Sequence, residues 1–314
     1  MKLSQLRTFV AISEHGGFAR GAERVHLTQS AASRQIGALE SELGVPLFDR
    51  IGRRVRLTSE GENLLRHVKR VLKDLESVGE LALALKGGHS GLLRVGATPQ
   101  VIENLLADFL VRYRGDRPGI EVHLVEDGGA RLPDRLERGD VHLAIMPAGY
   151  QAFAGRLLYP MHLLAVLPQK HRLGGKGRLE ISELSDEPIM LMGPGGASLD
   201  WFNAACEAAH IHPRIQLQSR APQTLIKLAQ SGYGIALVPS PVTISSDGVR
   251  VRPLVHRKAS IGSWAVVAWN PERFLAPYAR DFIERLVASV QRAFPGSNFV
   301  RGAPPLPRPR EYSV

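Results

Sequence analysis

Four side chains that can form hydrogen bonds with a partner lie close together near the start of the chain. They occupy the first turns of a predicted helix and are Gln29, Ser30, Ser33 and Arg34. No acidic residue follows them until Glu40, so this part of the helix carries no negative side chain. Base edges in the DNA major groove offer donors and acceptors that Gln, Ser and Arg can match. The segment therefore predicts a helix that reads the major groove.

Two preceding helices are expected to position this segment. Apolar residues at helical spacing predict the first, from Leu3 to Ile12, and residues 18–24 predict a short second helix with small side chains. Thr28 is placed to cap the third helix, because its hydroxyl can accept a hydrogen bond from a free backbone N–H. A helix, a short turn and a capped helix make up the helix-turn-helix arrangement, whose second helix enters the major groove.

A basic hairpin is predicted directly after these helices. Residues 47–58 hold four arginines and one aspartate, and Gly52 suits the turn between two short strands. Alternation places Arg54 and Arg56 on one face, where they can follow the phosphates of a duplex. A solvated surface hairpin would explain this segment equally well by itself. Beside the acid-free helix, the DNA-binding interpretation is favoured.

Residues 6–61 resemble the winged helix-turn-helix of the LysR-type transcriptional regulators, and the rest of the chain shares that family's layout nearly to its end. The resemblance implies a bacterial regulator that binds double-stranded DNA and senses a small molecule, with RNA polymerase as a further partner. The residues expected to contact DNA are Thr28, Gln29, Ser30, Ser33, Arg34, Arg50, Arg53, Arg54 and Thr58.

The next segment, residues 59–87, predicts one long helix with a seam for a second copy of the chain. Apolar residues recur at alternating intervals of four and three, at Leu64, Val68, Val71, Leu75, Val78, Ala82 and Leu85. This heptad spacing is typical of a coiled coil. A helix packed on its own domain would show a similar pattern, but a linker bordered by glycines has little domain to pack on. We therefore expect a homodimer that reads a near-palindromic operator, which the resemblance extends to a tetramer.

Apolar strands and amphipathic helices alternate along the remainder, which predicts an α/β region. The resemblance implies a fold like that of the periplasmic binding proteins, with two subdomains around a cleft and a hinge near residues 164–167 and 266–268. The predicted architecture is a winged helix-turn-helix over 1–58, a linker helix over 59–87, an effector-binding domain over 88–295 (subdomain I about 91–163 and 268–295, subdomain II about 164–267), and a disordered Pro-rich tail over 296–314.

Effector-binding residues are expected at strand ends and helix starts, where α/β sheets bind ligands. A glycine-rich loop over 193–198 precedes a helix whose free amides would favour an anion. Arg220 can pair with a carboxylate, although a surface position suits it equally well. The effector, an organic acid on this interpretation, is expected to contact Thr98, Pro99, Gln100, Gly129, Gly196, Ala197, Ser198, Gln218, Arg220 and Thr224.

Two positions in the effector-binding region depart from the family's pattern. Gly129 stands where relatives often carry a polar side chain that faces the ligand, so no known effector can be transferred to this chain. His142 replaces a common aspartate, and we interpret it as a changed structural contact, with pH sensitivity near the cleft as the alternative.

Catalytic and metal-binding functions find little support in the sequence. Cys206 is the only cysteine, so an intramolecular disulfide is excluded. Cys206 and His210 have the spacing of a metal pair or a thiolate–imidazole pair, but an Ala-rich helix favours a buried cysteine. We expect no catalytic residue, no metal and no cofactor. The alternative function is an architectural or effector-independent DNA-binding repressor.

Charge and the chain's beginning complete these expectations. The formal net charge is +10, which favours polyanionic partners. The first residues lack the apolar region of a signal peptide, and no apolar run is long enough to span a bilayer. We therefore expect a cytoplasmic protein.

Overall fold

A computed structural model describes residues 1–51, 54–85, 90–291 and 293–312. The chain forms two compact units, one made by residues 1–82 and 138–140 and the other by residues 83–137 and 141–314. The elements of the first unit are α1 (Leu3–His15), α2 (Phe18–Arg24), α3 (Gln29–Leu43), β1 (Phe48–Ile51), β2 (Arg54–Leu57) and α4 (Ser59–Leu85), which runs past residue 82.

A small apolar core holds α3 in place. Phe9 and Ile12 of α1 meet Ile36 and Leu39 of α3, and all four side chains are at most 1% exposed. Gly21 lets α2 approach α1 closely, because a Cβ atom there would lie 2.5 Å from the Cα of Ile12. The amphipathic pattern of the sequence therefore fixes which side of α3 turns inward.

Helix α4 divides into two parts. Val68 is 4% exposed and packs with Leu64 on the core of the first unit, so these two residues do not belong to a free seam. The expectation that the linker has little domain to pack on is wrong for these turns, because α4 begins directly on that core. Val71, Leu75 and Val78 stay exposed by 51%, 42% and 60%. The predicted seam residue Leu85 has a side chain outside the described part.

The second unit is a mixed sheet covered by helices. Its strands are β3 (Gly91–Ala97), β4 (Ile120–Glu126), β5 (Leu143–Pro147), β6 (Ala154–Pro168), β7 (Leu179–Glu180), β8 (Ile189–Met192), β9 (Ile215–Ser219), β10 (Ile235–Pro239), β11 (Val249–His256), β12 (Ala259–Ser260) and β13 (Gly262–Trp269). Neighbouring strands follow the order β4-β3-β5-β13-β6-β10-β8-β9, and β11 pairs with β6, β7 and β12. Parallel pairs join β4, β3 and β5 at one end of this order and β10, β8 and β9 at the other.

The helices lie between these strands in the chain, except for the last one, which follows β13. They are α5 (Pro99–Val101), a π-helical turn (Ile102–Leu106), α6 (Ala107–Asp116), α7 (Leu132–Arg138), α8 (Ala197–Ala209), α9 (Pro222–Gln230) and α10 (Pro277–Val290). Short 3-10 turns span Arg172–Gly175, Ile181–Leu184 and Arg310–Tyr312.

Strand β6 connects two subdomains. Residues 154–162 pair with β13, and the next four residues, 163–166, pair with β10. The second crossing lies at Gly262, opposite His162, where a Cβ atom would come within 2.0 Å of the Met161 carbonyl oxygen. The predicted hinge at 266–268 is therefore wrong, because those residues pair with β5 and β6 inside the first subdomain. The crossing on β6 likewise lies just before the predicted segment 164–167.

The prediction of a disordered tail is wrong for residues 296–312. Phe299 packs on the core of the second subdomain, and Tyr312 is 4% exposed within the core of the first. Between them, the indole N–H of Trp264 donates to the Leu306 carbonyl oxygen at 3.4 Å. Prolines prevent regular structure here, but a few apolar side chains are enough to dock an extended segment on both subdomains.

His142 makes a structural contact. Its Nδ1 atom accepts from the backbone N–H of Arg94 at 3.2 Å, and the backbone N–H of His142 donates to the Arg94 carbonyl oxygen at 2.9 Å. It immediately precedes β5, whereas the cleft described below is lined by Pro147 at the other end of that strand. This geometry favours the structural interpretation of the histidine over pH sensitivity near the cleft.

Candidate DNA interface and ligand cleft

A hydroxyl cap begins the candidate recognition helix. Thr28 has an extended backbone, and its Oγ1 atom accepts from the N–H of Ala31 at 3.2 Å. The predicted N-cap is thus confirmed. No acidic residue lies in the first turn of α3, so the partial positive charge of the helix start is not offset by a local carboxylate.

The solvent-facing side of α3 carries polar side chains in its first turns and small residues in the turn that follows. Gln29, Ser30 and Arg34 are exposed, and Gly37 and Ala38 continue the same exposed side. Small residues at these two positions leave room for a neighbouring surface to approach the helix. This face can supply an amide, a hydroxyl and a guanidinium to one partner.

The first acidic residue of α3 is already engaged. The carboxylate of Glu40 accepts from the backbone N–H groups of Leu47 and Phe48, at 2.7 Å and 3.2 Å. It ties the end of α3 to the start of the hairpin. Its charge is therefore directed toward the wing and away from the exposed amide and guanidinium groups.

The remaining predicted DNA contacts are half-buried, buried or outside the described part. Ser33 is half-buried. Thr58 is 8% exposed, and its hydroxyl donates to the Pro46 carbonyl oxygen while accepting from the N–H of Gly61. Thr58 caps α4 as expected, but a buried and doubly engaged hydroxyl is unsuited to a DNA phosphate, so we withdraw it from the DNA contacts. Arg53 and the side chains of Arg50 and Arg54 lie outside the described part.

The second unit contains a cleft between its two subdomains. The cleft has an inner cavity of about 80 Å³ that reaches the floor at β6 and β13. The inner cavity is lined by Thr98, Gln100, Val101, Gly129, Ile145, Met146, Pro147, Met161, Met192, Gly196, Ala197, Ser198, Trp201, Pro239, Pro241 and Ala265. Most of these side chains are apolar, so the cavity offers few hydrogen bonds.

An outer cleft of about 340 Å³ adjoins the inner cavity and shares Thr98, Gln100 and Met192 with it. Its walls are more polar and include Asp127 and Arg220. Arg220 is exposed, with its chain against Gly193, where a Cβ atom would lie 3.5 Å from the arginine Cγ atom.

The carboxylate of Asp127 is held by its neighbours. It accepts from the backbone N–H of Gly128 at 2.8 Å and from Nε of Arg135 at 3.0 Å, and Arg131 lies 3.8 Å away. Burial by itself would raise the pKa of Asp127, but these hydrogen bonds and positive charges lower the pKa below its usual value. Asp127 is therefore ionised, and two arginines offset its charge.

The two subdomains touch at the cleft. The backbone N–H of Ala130 donates to the carbonyl oxygen of Gly195 at 3.3 Å. A Cβ atom at Gly128 would lie 3.0 Å from the same oxygen, so this approach requires a small residue. The hydroxyl of Thr243 donates to the side-chain oxygen of Asn104 at a second point. These contacts describe a cleft whose walls meet.

Eight of the ten predicted effector residues line these cavities. Six line the inner cavity, namely Thr98, Gln100, Gly129, Gly196, Ala197 and Ser198, and the outer cleft adds Pro99 and Arg220. Gln218 and Thr224 are exposed and line neither cavity, so the structure does not bring these two residues to the cleft. Gln218 lies within an edge strand, and Thr224 lies on α9 with its side chain turned to solvent.

Sequence reasoning missed most of the apolar lining. Pro147, Met192 and Pro239 are the last residues of β5, β8 and β10, so the rule that ligands bind at strand ends could have found them. Met161 and Trp201 offered no such signal, because an apolar residue in a strand or helix is ordinarily part of the core.

Cys206 is a core residue. It is 7% exposed, and burial raises the pKa of its thiol to about 11. Such a thiol stays protonated at neutral pH and is a poor nucleophile. Among the described residues, no group of three or more His, Cys, Asp or Glu side chains is arranged to hold a metal ion. Within the same part of the chain, no helix combines the length and the apolar character needed to cross a membrane.

Comparison with protein families identifies both units. Residues 3–62 match the bacterial regulatory helix-turn-helix protein, lysR family, and residues 86–291 match the LysR substrate binding domain. The chain belongs to the LysR-type transcriptional regulators. It is accordingly a DNA-binding regulator with an effector-binding domain, as its sequence predicted.

Individual relatives of this LysR-type regulator agree. It is 31% identical to AlsR of Bacillus subtilis over 76% of this chain and 81% of that protein. It is 32% identical to IlvR of Caulobacter vibrioides over 81% of this chain and 88% of that protein. Both relatives are transcriptional regulators by name.

Solved structures share the fold. A full-length OxyR from Pseudomonas aeruginosa superposes with a TM-score of 0.70 at 25% identity, covering 95% of this chain and 97% of that one. Full-length CbnR in complex with its target DNA gives 0.64 at 23% identity, covering 93% and 99%. At that identity the second comparison supports the fold alone.

Proposed function

We propose that this regulator pairs through α4, reads a near-palindromic operator with the exposed face of α3, and changes its DNA binding when an organic acid occupies the cleft. The observation that carries the proposal is the capped, acid-free start of α3 with Gln29, Ser30 and Arg34 exposed together. Ser33, Arg50, Arg53 and Arg54 are proposed as further contacts with bases or phosphates.

The exposed part of α4 supports pairing. Val71, Leu75 and Val78 are spaced by four and three residues and all face solvent in the single chain. Removing such apolar area from water stabilises an association by roughly 25 cal/mol per Å². A second α4 helix with the same spacing is the simplest surface to cover this stripe, and pairing gives two copies of α3 for two half-sites.

The cleft supports a small anionic effector. Arg220 and Gly196 line its outer part, and Gly196 is the N-cap residue of α8, where no side chain caps the helix. Backbone amides at a helix start and a guanidinium both favour a carboxylate. Occupation of the cleft would alter the angle between the subdomains at the crossings near His162 and Gly262, which changes the spacing of the paired α3 helices and the bend of the DNA.

Three further parts of the proposal follow from a regulator of this kind. The protein acts in the cytoplasm, where its operator is accessible. It recruits or excludes RNA polymerase when the DNA bend changes. Two dimers join into a tetramer, as the family resemblance implies.

Selection of DNA by the purified full-length protein tests the proposal. Fragments of the bacterial genome are mixed with the protein at moderate ionic strength, with excess non-specific competitor DNA. We expect a small set of fragments to be enriched, with affinities at least about a thousandfold above the competitor. Enrichment of no fragment, or uniform retention of all fragments, would contradict specific operator binding.

Arg34→Ala supplies the matched test of the interface. It removes an exposed guanidinium from α3, and we expect the affinity for enriched fragments to fall about 10- to 100-fold. Arg66→Ala removes an exposed arginine from α4 of the same unit and serves as the control, with little expected change. Equal losses in the two variants would argue for non-specific charge and against recognition by α3.

A further inference from the structure

We propose that the effector is a monoanionic acid with a compact apolar body, and that the inner cavity selects against dicarboxylic and polyhydroxylated acids. This inference rests on the proposed function, because it assigns a chemical class to the ligand of the same cleft.

The lining of the inner cavity suits an apolar part of a ligand. Met146, Met161 and Met192 approach it from three different strands, and Trp201 closes it from α8. Met146 and Met161 are 2% and 7% exposed, so tight packing fixes these walls. Thioether chains adapt to irregular apolar shapes, which suits a ligand body of aliphatic or aromatic carbon.

A second charge would find no cationic side chain in the lining of this cavity. Among the described residues, Thr98, Gln100 and Ser198 are the only lining side chains with hydroxyl or amide groups, and no lysine, arginine or histidine lines the cavity. A carboxylate moved there from water would lose its hydration without a compensating cation. A run of hydroxyl groups would likewise outnumber the available hydrogen-bond partners. The cavity therefore selects against ligands with a second charge or several hydroxyl groups, because these groups would lose their hydration there without replacement.

The anionic end of the ligand belongs in the outer cleft. Arg220 lies there, and Asp127 opposite is already paired with Arg135, so its charge opposes an incoming anion less. Ser198 is 6% exposed and lines the inner cavity in the first turn of α8, whereas Thr98 and Gln100 line both the inner cavity and the outer cleft. This order, apolar inside and cationic outside, matches an acid with one polar end.

Gly129 preserves the apolar character of the cavity. A Cβ atom built there would meet only the Pro147 Cδ atom at 3.8 Å and the Thr98 Cγ2 atom at 3.9 Å, so a side chain could be accommodated. Glycine leaves that space to the ligand and adds no hydrogen-bonding group.

Three compounds with the same six-carbon skeleton test the inference on the full-length protein. Hexanoate has one carboxylate and an apolar end, adipate has a carboxylate at each end, and hexanamide has the apolar end without a charge. A ligand that binds the folded state raises the apparent melting temperature, and titration gives its affinity. We expect hexanoate to bind at least about tenfold more tightly than adipate or hexanamide.

Variants of Met192 provide the internal control. Met192→Gln places an amide of similar length in the cavity wall and should weaken hexanoate binding about tenfold, whereas Met192→Leu should retain it. Tighter binding of adipate than of hexanoate, absence of hexanoate binding, or equal affinities in the two variants would overturn the inference.

The same preparations separate this inference from the proposed function. If the wild-type protein binds its operator but shows no preference for hexanoate, only the ligand class is wrong. If the protein binds hexanoate but enriches no genomic fragment, the operator-binding proposal is wrong and the ligand class stands.

Discussion

The exposed face of α3 comes from one short run of the chain, from Gln29 to Ala38, whereas the cleft is lined by residues spread from Thr98 to Ala265. The first depends on a cap, one helix and a small core. The second depends on two subdomains, two crossing strands and a tail that contacts both. A local change should therefore disturb one site and spare the other, which makes the two sites separable by mutation.

The largest difference between the effects on the two units is expected from a substitution in the tail. Tyr312→Ala removes a buried aromatic ring from the second unit and should lower its free energy of unfolding by about 3–5 kcal/mol. The transition of the first unit should be unchanged. Calorimetry of the full-length protein measures both transitions.

Tyr312→Phe is the control for the tail. It removes only the hydroxyl that donates to the Tyr150 carbonyl oxygen at 3.2 Å. The expected cost is about 1 kcal/mol. If the alanine variant is no less stable than the phenylalanine variant, the ring does not anchor the tail.

The pairing stripe on α4 gives the next effect. Leu75→Glu places a charge where the partner helix is proposed to pack and should weaken dimerisation by at least about 2 kcal/mol. Arg70→Glu, at an exposed position off the stripe, adds the same side chain and should leave the dimer intact. Light scattering after gel filtration reports the mass of each variant, and a wild-type mass for Leu75→Glu would refute the proposed seam.

A substitution at the cap of α3 gives the corresponding test on the first unit. Thr28→Ala removes the hydroxyl that accepts from Ala31 and should destabilise the first unit by about 1 kcal/mol, while the second unit is unaffected. Thr28→Ser keeps a hydroxyl and should restore most of that stability. Chemical denaturation followed by circular dichroism checks both variants, and equal stabilities of the two would remove the cap from the account.

The smallest expected effect is a pH dependence at the crossing strands. His162 is 3% exposed, its Nδ1 atom has no hydrogen-bond partner among the described residues, and burial lowers the pKa of this histidine below 6.5. The unfolded chain takes up a proton below that pH and the folded chain resists it, so stability falls as the pH decreases through this range. His162→Leu should reduce the difference in stability between pH 7.5 and pH 5.5, as measured by denaturant titration. An unchanged difference would contradict this assignment.

The sequence predicted the recognition helix, which depends on local signals, better than it predicted the cleft, which distant segments form together. Thr28, Ile36 and Leu39 were placed correctly because caps and helical periodicity are local signals. The polar cleft residues at helix starts were found for a similar reason. Met161 and Trp201 were not, because their function depends on strands and helices far apart in the chain meeting at one cavity.

Two other errors have the same cause. Leu64 and Val68 have the spacing of a coiled coil, and only the folded core reveals that they pack within their own unit. The tail has the composition of a disordered segment, and only the two subdomain cores reveal the places where Phe299 and Tyr312 dock. Periodicity and composition describe a segment alone and carry no information about a distant surface that covers it.

A footprint of the full-length protein on its enriched DNA tests the central claim most directly. We expect two protected half-sites, related by an approximate two-fold axis and separated by whole turns of the duplex, roughly 10 base pairs each. We also expect Arg34→Ala to abolish this protection at concentrations where Arg66→Ala retains it. Protection without two-fold symmetry, or a footprint unchanged by Arg34→Ala, would contradict the account.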